Sequence, residues 1–377
     1  MTRPPERAGL RIALIAEDYY PQLGGVPEHV HNLALELAAR GHAATVITSR
    51  MRGAAGDAPF VRRVGTSVVI YANGGVSRIT VGWRLIHQLT ELFRAERFDV
   101  VHVHGGLVPT FGLAAPVAAW RAGIPVVATF HSWFPRSAGY RILRRPLQRM
   151  LDRHAALIAV SEPVVDAMSR YFRARWEIIP NGVDVGFFQP DGRRPTDALI
   201  RGPRLLFLAR LEPRNGLSTV LDAMPRILAR FPKAELIVAG DGPWRGHYER
   251  RARPLGSRVR FLGRVFADRP LHYGTADVYL CPTTRASFGV TLLEAMACGT
   301  PLLVSDNVGF RAVVGGGAEA VIVPNDDPQT WADATIALID DPARRDAMSH
   351  AGLAKAGQFA WPRIADRTLA VYERVLG

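Results

Sequence analysis

Short apolar runs recur along the chain, separated by segments whose apolar residues fall three or four apart. Runs of four to eight residues bounded by Gly, Pro, Asn or Asp read as buried strands, and the intervening segments as helices. The first half gives strands over 10–16, 44–48, 67–71, 100–104, 126–131 and 157–161. The second half gives 205–208, 235–239, 259–262, 278–282, 301–305 and 320–323. Helical patterning covers 28–40, 82–95, 218–230 and 329–340. Strands that alternate with helices imply a parallel sheet wrapped on both faces, here twice. A chain of 377 residues is long for one core and suggests two domains. Gly, Pro and Arg accumulate between 180 and 196, so the expected domains are 1–188 and 189–361.

No apolar stretch is long enough to span a bilayer. Arg3, Arg7 and Arg11 precede the apolar run 12–16, but Glu17 and Asp18 end it too early for a signal peptide. Cys281 and Cys298 sit in apolar surroundings, which suits reduced thiols and a cytoplasmic setting. The net charge of +13 favours anionic partners: nucleic acid, a nucleotide-activated substrate or an acidic lipid surface. Zinc-ligand spacing, an aromatic-rich RNA-binding pattern and a Lys/Arg tail are all absent from the sequence, so no nucleic-acid partner is expected.

The candidate chemistry lies where strands end. After the strand at 278–282, a small-residue loop leads through Ser287, Phe288, Gly289 and Val290 into an apolar helix that stops at Gly299. Free amides at a helix start, backed by its dipole, suit an anion. Glu294, about two turns in, offers carboxylate oxygens to a ligand's hydroxyls. Gly24 and Gly25 form a comparable strand-to-helix turn, which a plain tight turn explains equally well. The pattern G-x-G-x-x-G is missing and no acidic residue ends the second strand, which argues against a dinucleotide enzyme. His131 closes one strand, and Arg210 follows the second domain's first strand with a fork of donors suited to phosphate. His102 and His104 are read as alternating along their strand and facing opposite sides, so a metal pair is not expected.

The stretch from Ala286 to Ala297 closely resembles the donor-binding pattern of retaining glycosyltransferases of family 4, E-S/G-F-G-x-x-x-x-E-A-M-A. Ala286 stands where the first glutamate belongs. The resemblance implies the GT-B fold: two doubly wound, Rossmann-like α/β domains facing across a cleft. Residues 1–188 would be the acceptor domain, with the last helix, 362–377, packed back on it, and 189–361 the nucleotide-sugar domain. It further implies that Gly24 and Gly25 close over the donor phosphates and that Glu294 accepts from the ribose hydroxyls. Gly263 would contact the base through its backbone. Arg210 matches the arginine of the family's G-R-x(3–5)-K-G run; Asn215 replaces the lysine, and Arg214, one residue earlier, either supplies the missing charge or is a solvated arginine. His131, after Ala128-Thr129-Phe130, would line the site against the sugar, polarising it while the leaving phosphate takes the acceptor proton. Arg210 and His131 are thus the catalytic candidates.

A narrower resemblance is to the phosphatidylinositol mannosyltransferases of actinobacteria. Asn73-Gly74-Gly75-Val76-Ser77-Arg78 resembles their N-G-S-V-A-R loop, which would make Asn73 and Arg78 acceptor contacts, with His104 lining the cleft. Tyr71 departs from that pattern, with Ala72 between it and Asn73. The implied reaction moves a hexose, mannose favoured, from a nucleotide-sugar, GDP-mannose favoured, to a lipid or glycan hydroxyl. It requires no other cofactor and no metal. A lipid acceptor brings in an anionic membrane surface as a partner and a peripheral location on the cytoplasmic face. The basic, aromatic-bearing stretch 136–153 fits such a surface and fits an ordinary arginine-faced helix equally well. The losses at Ala286 and Asn215 leave open a catalytically silent binding relative, and a sugar-nucleotide epimerase is a second alternative.

Overall fold

The computed structural model describes residues 9–22, 24–51, 58–72, 75–190, 202–324 and 327–377, with side chains described outside 70–78. The chain packs as two compact units, Met1–Asn181 with Trp361–Gly377, and Gly182–Ala360. The first contains β1 (Arg11–Ala16), α1 (Gly25–Ala39), β2 (Ala43–Arg50), β3 (Val61–Ala72), β4 (Gly75–Val81) and α2 (Leu85–Glu96). It continues with β5 (Val100–His104), α3 (Phe111–Arg121), β6 (Val126–Phe130), α4 (Ala138–Ile142) and α5 (Arg144–Leu151). Then come β7 (Ala156–Ala159), α6 (Glu162–Ser169) and β8 (Glu177–Ile178).

The second unit begins with β9 (Arg204–Leu208), α7 (Leu217–Arg230), β10 (Glu235–Ala239), α8 (Arg245–Ala252), β11 (Val259–Gly263) and α9 (Arg269–Gly274). It continues through β12 (Val278–Cys281), α10 (Val290–Ala297), β13 (Leu302–Ser305), α11 (Val308–Val314), β14 (Ala320–Val323), α12 (Pro328–Asp340) and α13 (Pro342–Gly357). The final helix, α14 (Trp361–Leu376), belongs to the first unit.

The first sheet runs β4-β3-β2-β1-β5-β6-β7-β8 and the second β11-β10-β9-β12-β13-β14. Only the β3–β4 hairpin is antiparallel among the described pairs. Helices cover both faces of the first sheet, which is why β1 is apolar from Ile12 to Ala16. Ile12, Leu14 and Ala16 pack on the side of α1 and α14, and Ala13 and Ile15 on the side of α2 and α3. In the second unit, Leu217, Val220, Leu221, Met224 and Ile227 of α7 form one helical stripe on the core built by Leu205 and Phe207 of β9. The amphipathic α14 buries Trp361, Ile364, Ala365, Leu369, Val371 and Tyr372 beside α1. Arg40, which caps the end of α1, donates from Nε to Asp366 (2.9 Å) and from Nη2 to the Pro362 carbonyl (3.0 Å).

In each sheet the strand order reverses about one strand: β1 lies between β2 and β5, and β9 between β10 and β12. Ligands of open parallel sheets bind beyond the carboxyl ends at such points. The segments after β1 and β5, and after β9 and β12, hold most of the candidate residues. Cys281 and Cys298 are buried and form no disulfide. Among the described residues, no helix is long and apolar enough to cross a membrane.

Candidate functional site

Beyond the carboxyl ends of β5 and β6, the first unit gathers four imidazoles. The expectation that His102 and His104 face opposite sides is wrong. Residues two apart on a strand share a face, and here Val100, His102 and His104 look toward α1 and α14 while Val101 and Val103 pack on the other side. The His102 and His104 rings lie 4.1 Å apart between centroids. His131 follows β6 two residues after Thr129 and so arrives on the same face. Its Nε2 is 3.2 Å from Nδ1 of His104. His29, from the start of α1, meets the His131 ring edge-on at 4.8 Å and the Trp361 ring at 5.1 Å. His102 is held by Tyr372 Oη at Nδ1 (2.6 Å) and Thr129 Oγ1 at Nε2 (2.7 Å).

Burial sets the charge of this cluster. It lowers His131 to about 4 and His102 to about 3. His29 and His104 fall well below the ordinary histidine range, from burial first and neighbouring imidazoles second. An Asn181 contact partly offsets the lowering at His29 and His131. The ring of His131 is enclosed, although the residue as a whole is partly exposed. All four rings are therefore neutral near pH 7, and His131 is a polar group rather than a cation or a strong base.

The helix α1 begins at Gly25 with Gly24 as N-cap and no side-chain cap, so its first amides are left to other partners. Asn73 lies outside the described residues. Arg78 sits on β4 opposite Val69 of β3. The sequence reading missed Glu17, whose partly buried carboxylate accepts from the amides of Thr80 (2.7 Å) and Phe111 (2.8 Å). It thereby ties the hairpin and the start of α3 to the end of β1. Burial raises its pKa despite those hydrogen bonds. A glutamate closing an apolar strand was the available signal.

In the basic stretch, α5 turns Leu147 and Leu151 inward, while Ile142 (79% exposed) and Leu143 (50%) face solvent. Arg136, Arg141, Arg144 and Arg170 line an open pocket beside them.

The second unit is organised around a residue absent from the candidates. Glu212 is 3% exposed and pairs with two arginines: Arg210 Nε at 3.0 Å from Oε1 and Arg214 Nε at 3.2 Å from Oε2. One buried carboxylate thus lies within ion-pair distance of both guanidiniums at the end of β9, a charge pairing without hydrogen-bond geometry at either oxygen. Asn215 is turned inward as a brace: its Nδ2 donates to the Arg210 carbonyl (2.6 Å), and Thr283 donates to its Oδ1 (3.5 Å). Gly216 has φ +73°, and a Cβ there would lie 2.2 Å from the Pro282 carbonyl oxygen, so only glycine permits this approach. The Thr284 amide donates to the Arg214 carbonyl (2.8 Å). The arginine turn is thereby fastened to the loop that leads into α10, whose N-cap is Gly289, again without a side-chain cap.

Phe288 is buried and Ser287 partly so, at the entry to that helix. Glu294 is buried, with Arg269 Nη1 donating to Oε1 (2.7 Å) and the Tyr273 hydroxyl to Oε2 (2.9 Å). Gly263 ends β11 and accepts from the Gly240 amide through its carbonyl (2.7 Å). The structure thus joins Arg214 and Asn215 directly to the 283–284 loop and Arg210 to it through Asn215, while Glu294 is tied to α9 and Gly263 to the end of β10.

Comparison with known proteins matches residues 23–187 to the family described as Glycosyltransferase Family 4, and residues 202–341 to Glycosyl transferases group 1. A phosphatidyl-myo-inositol mannosyltransferase of Mycobacterium tuberculosis is 33% identical over 98% of this chain and 98% of its own length. One from Propionibacterium freudenreichii is 31% identical over 96% and 94%. Among solved structures, a glycosyltransferase from Rickettsia africae superposes with TM-score 0.78 at 15% identity, covering 98% of this chain and 99% of its own. Anabaena HepE, crystallised with UDP and glucose, gives 0.75 at 18% identity, covering 97% and 99%. These structures share the pair of Rossmann-like folds. The chain belongs to glycosyltransferase family 4 and is an enzyme that transfers a sugar.

Proposed function

We propose that the chain is a retaining mannosyltransferase that carries mannose from GDP-mannose to a hydroxyl of a phosphatidylinositol-type lipid. The observation that carries this reading is the double arginine clasp on Glu212, fastened to the loop before α10. Family membership makes the reaction a sugar transfer, and the relatives' acceptor and donor supply the finer choice: phosphatidyl-myo-inositol for one, and GDP-mannose for a 28% identical monomannoside mannosyltransferase of Mycobacterium tuberculosis.

In this reading the bond from the sugar's anomeric carbon to the diphosphate oxygen breaks, and one to the acceptor oxygen forms on the same face. The acceptor proton passes to the departing diphosphate. Arg210, Arg214 and the start of α10 at Val290 stabilise the charge that develops on the diphosphate, where preorganised donors contribute most. Glu294 takes the ribose hydroxyls, oriented by Arg269 and Tyr273, and Gly263 borders the base. Asn215 serves the donor by fixing the Arg210 carbonyl. His131 presents a neutral imidazole to the transferred sugar. Asn73, Arg78 and His104 serve the acceptor. No cofactor beyond the donor enters these steps.

A lipid acceptor also calls for peripheral contact with the cytoplasmic membrane face, for which exposed Ile142 and Leu143 beside Arg141 and Arg144 are the proposed patch.

The test is purified chain with GDP-mannose and phosphatidylinositol vesicles, read as released GDP and as mannosylated lipid. Mannolipid formation with GDP-mannose above UDP-sugars is the expected result. Absence of nucleoside diphosphate release from every common donor would sink the reading. Release without lipid product would sink the acceptor alone.

A further inference from the structure

The geometry points to a transition-metal site in the first unit, with one ring nitrogen from each of His29, His104 and His131 as its three protein ligands. The three residues come from separate elements, α1, the end of β5 and the residue after β6, and their nitrogens all lie within 4.8 Å of one another. Nitrogens bound tetrahedrally at about 2.0–2.1 Å from zinc sit roughly 3.3 Å apart. His104 Nδ1 and His131 Nε2 are already 3.2 Å apart, so closing the site asks chiefly for a small inward shift of His29.

The hydrogen-bond accounting points the same way. Nδ1 of His29 is buried without a hydrogen-bond partner. An orphaned buried atom is costly, and a lone pair that faces no donor is what a cation satisfies. The fourth imidazole behaves differently. Both nitrogens of His102 are taken, by Tyr372 and Thr129, so it supports the His104 ring instead of offering a ligand. The trio contains no carboxylate. Neutral imidazoles select zinc, cobalt, nickel or copper over magnesium or calcium, and a three-histidine set leaves one position open on the ion.

Binding does not depend on the proposed reaction, but its consequence does. An ion that engages the His131 ring withdraws it from the transferred sugar, so occupancy inhibits transfer.

The test uses the full chain, stripped with a chelator and titrated with Co²⁺ and Zn²⁺ by calorimetry, with Mg²⁺ as control and visible absorption as a second readout for cobalt. One ion per chain, cobalt bands typical of nitrogen ligation and no magnesium heat are expected. His29→Gln and His104→Gln should each weaken cobalt binding by more than about 10-fold, while the exposed His87→Ala leaves it unchanged. Absence of stoichiometric binding to the wild-type chain overturns the site, as does unchanged affinity in both glutamine variants. The wild-type cobalt spectrum carries the test should a variant misfold. In the activity arm, diphosphate release should fall by half at the cobalt concentration that half-fills the site. A filled site with undiminished release overturns the inhibition. Cobalt binding in a chain that turns over no donor sinks the reaction and leaves the site standing.

Discussion

The two units finish their central strands in the same way topologically and in opposite ways electrostatically. Each carries its polar residues beyond the carboxyl ends where the strand order reverses. In the first, the ends of β5 and β6 bury imidazoles with no carboxylate among them, and burial strips them of charge. In the second, the carboxylate of Glu212 is buried while the side chains of Arg210 and Arg214 stay about two-fifths exposed, at 38% and 41%. Arginine cannot shed its proton under these conditions, so this end stays cationic. Topology chooses the location; the burial of the counter-group decides whether the location holds charge.

The largest break in that contrast should come from removing the cation. Arg210→Ala should lower turnover by about 10²–10³-fold, the usual cost of losing one preorganised charge stabiliser. The partly exposed side chain lets the fold survive. A variant within threefold of wild-type kcat would place charge stabilisation elsewhere. Glu212→Gln should act more mildly, since the arginines remain but lose their shared anchor. The expected signature is a donor KM raised roughly tenfold with a smaller change in kcat. Equal losses in kcat and kcat/KM would instead mean that Glu212 acts only in the transition state.

The neutral end is tested by acid. Its histidines have folded pKa values below the unfolded 6.5, so as pH falls below 6.5 the unfolded chain binds protons that the folded chain refuses. Stability is therefore complete above pH 6.5 and declines toward about pH 4 for His131 and about 3 for His102. Each such histidine should cost roughly 1 kcal/mol at pH 5.5. Thermal denaturation of the wild type should show this decline, and His104→Gln should make it shallower by one histidine's share. A melting temperature level from pH 7.5 to 5.5 would mean that the folded rings take up protons as readily as those of the unfolded chain.

What the sequence disclosed follows the same physics. Strands 100–104, 235–239 and 320–323 match β5, β10 and β14 residue for residue, because each is a short, mostly apolar run bounded by turn or charged residues. The β4 arm of the hairpin escaped because its residues, Gly75 to Val81, mix polar and apolar positions at a sheet edge. Arg210 was legible from its place after a strand. Glu212 was not, because between Leu211 and Pro213 it reads as one more surface charge, and only tertiary packing brings two arginines onto it. The fourfold histidine cluster was lost to a misjudged period along β5 and to His29, whose partners lie 75 and 102 residues away in sequence.

The smallest expected effect concerns Ala286, where the family pattern carries a glutamate. Its carbonyl lies against α11, where a Cβ on Gly309 would come within 2.2 Å of it, so the backbone at 286 is fixed from below. The residue itself is only partly buried, which leaves room for a longer side chain. Two residues earlier, Thr284 is bonded to the Arg214 carbonyl. A glutamate at 286 therefore enters a loop fastened to a turn whose two arginines already share Glu212. A second carboxylate there competes for Arg214 and draws it from the diphosphate. Ala286→Glu should fold normally and raise the donor KM by a few-fold on the native donor. A fall in activity marks the alanine as matched to the Glu212 clasp. A rise would mean that the clasp has room for another carboxylate, and that the cationic end of this enzyme carries more charge than its donor uses.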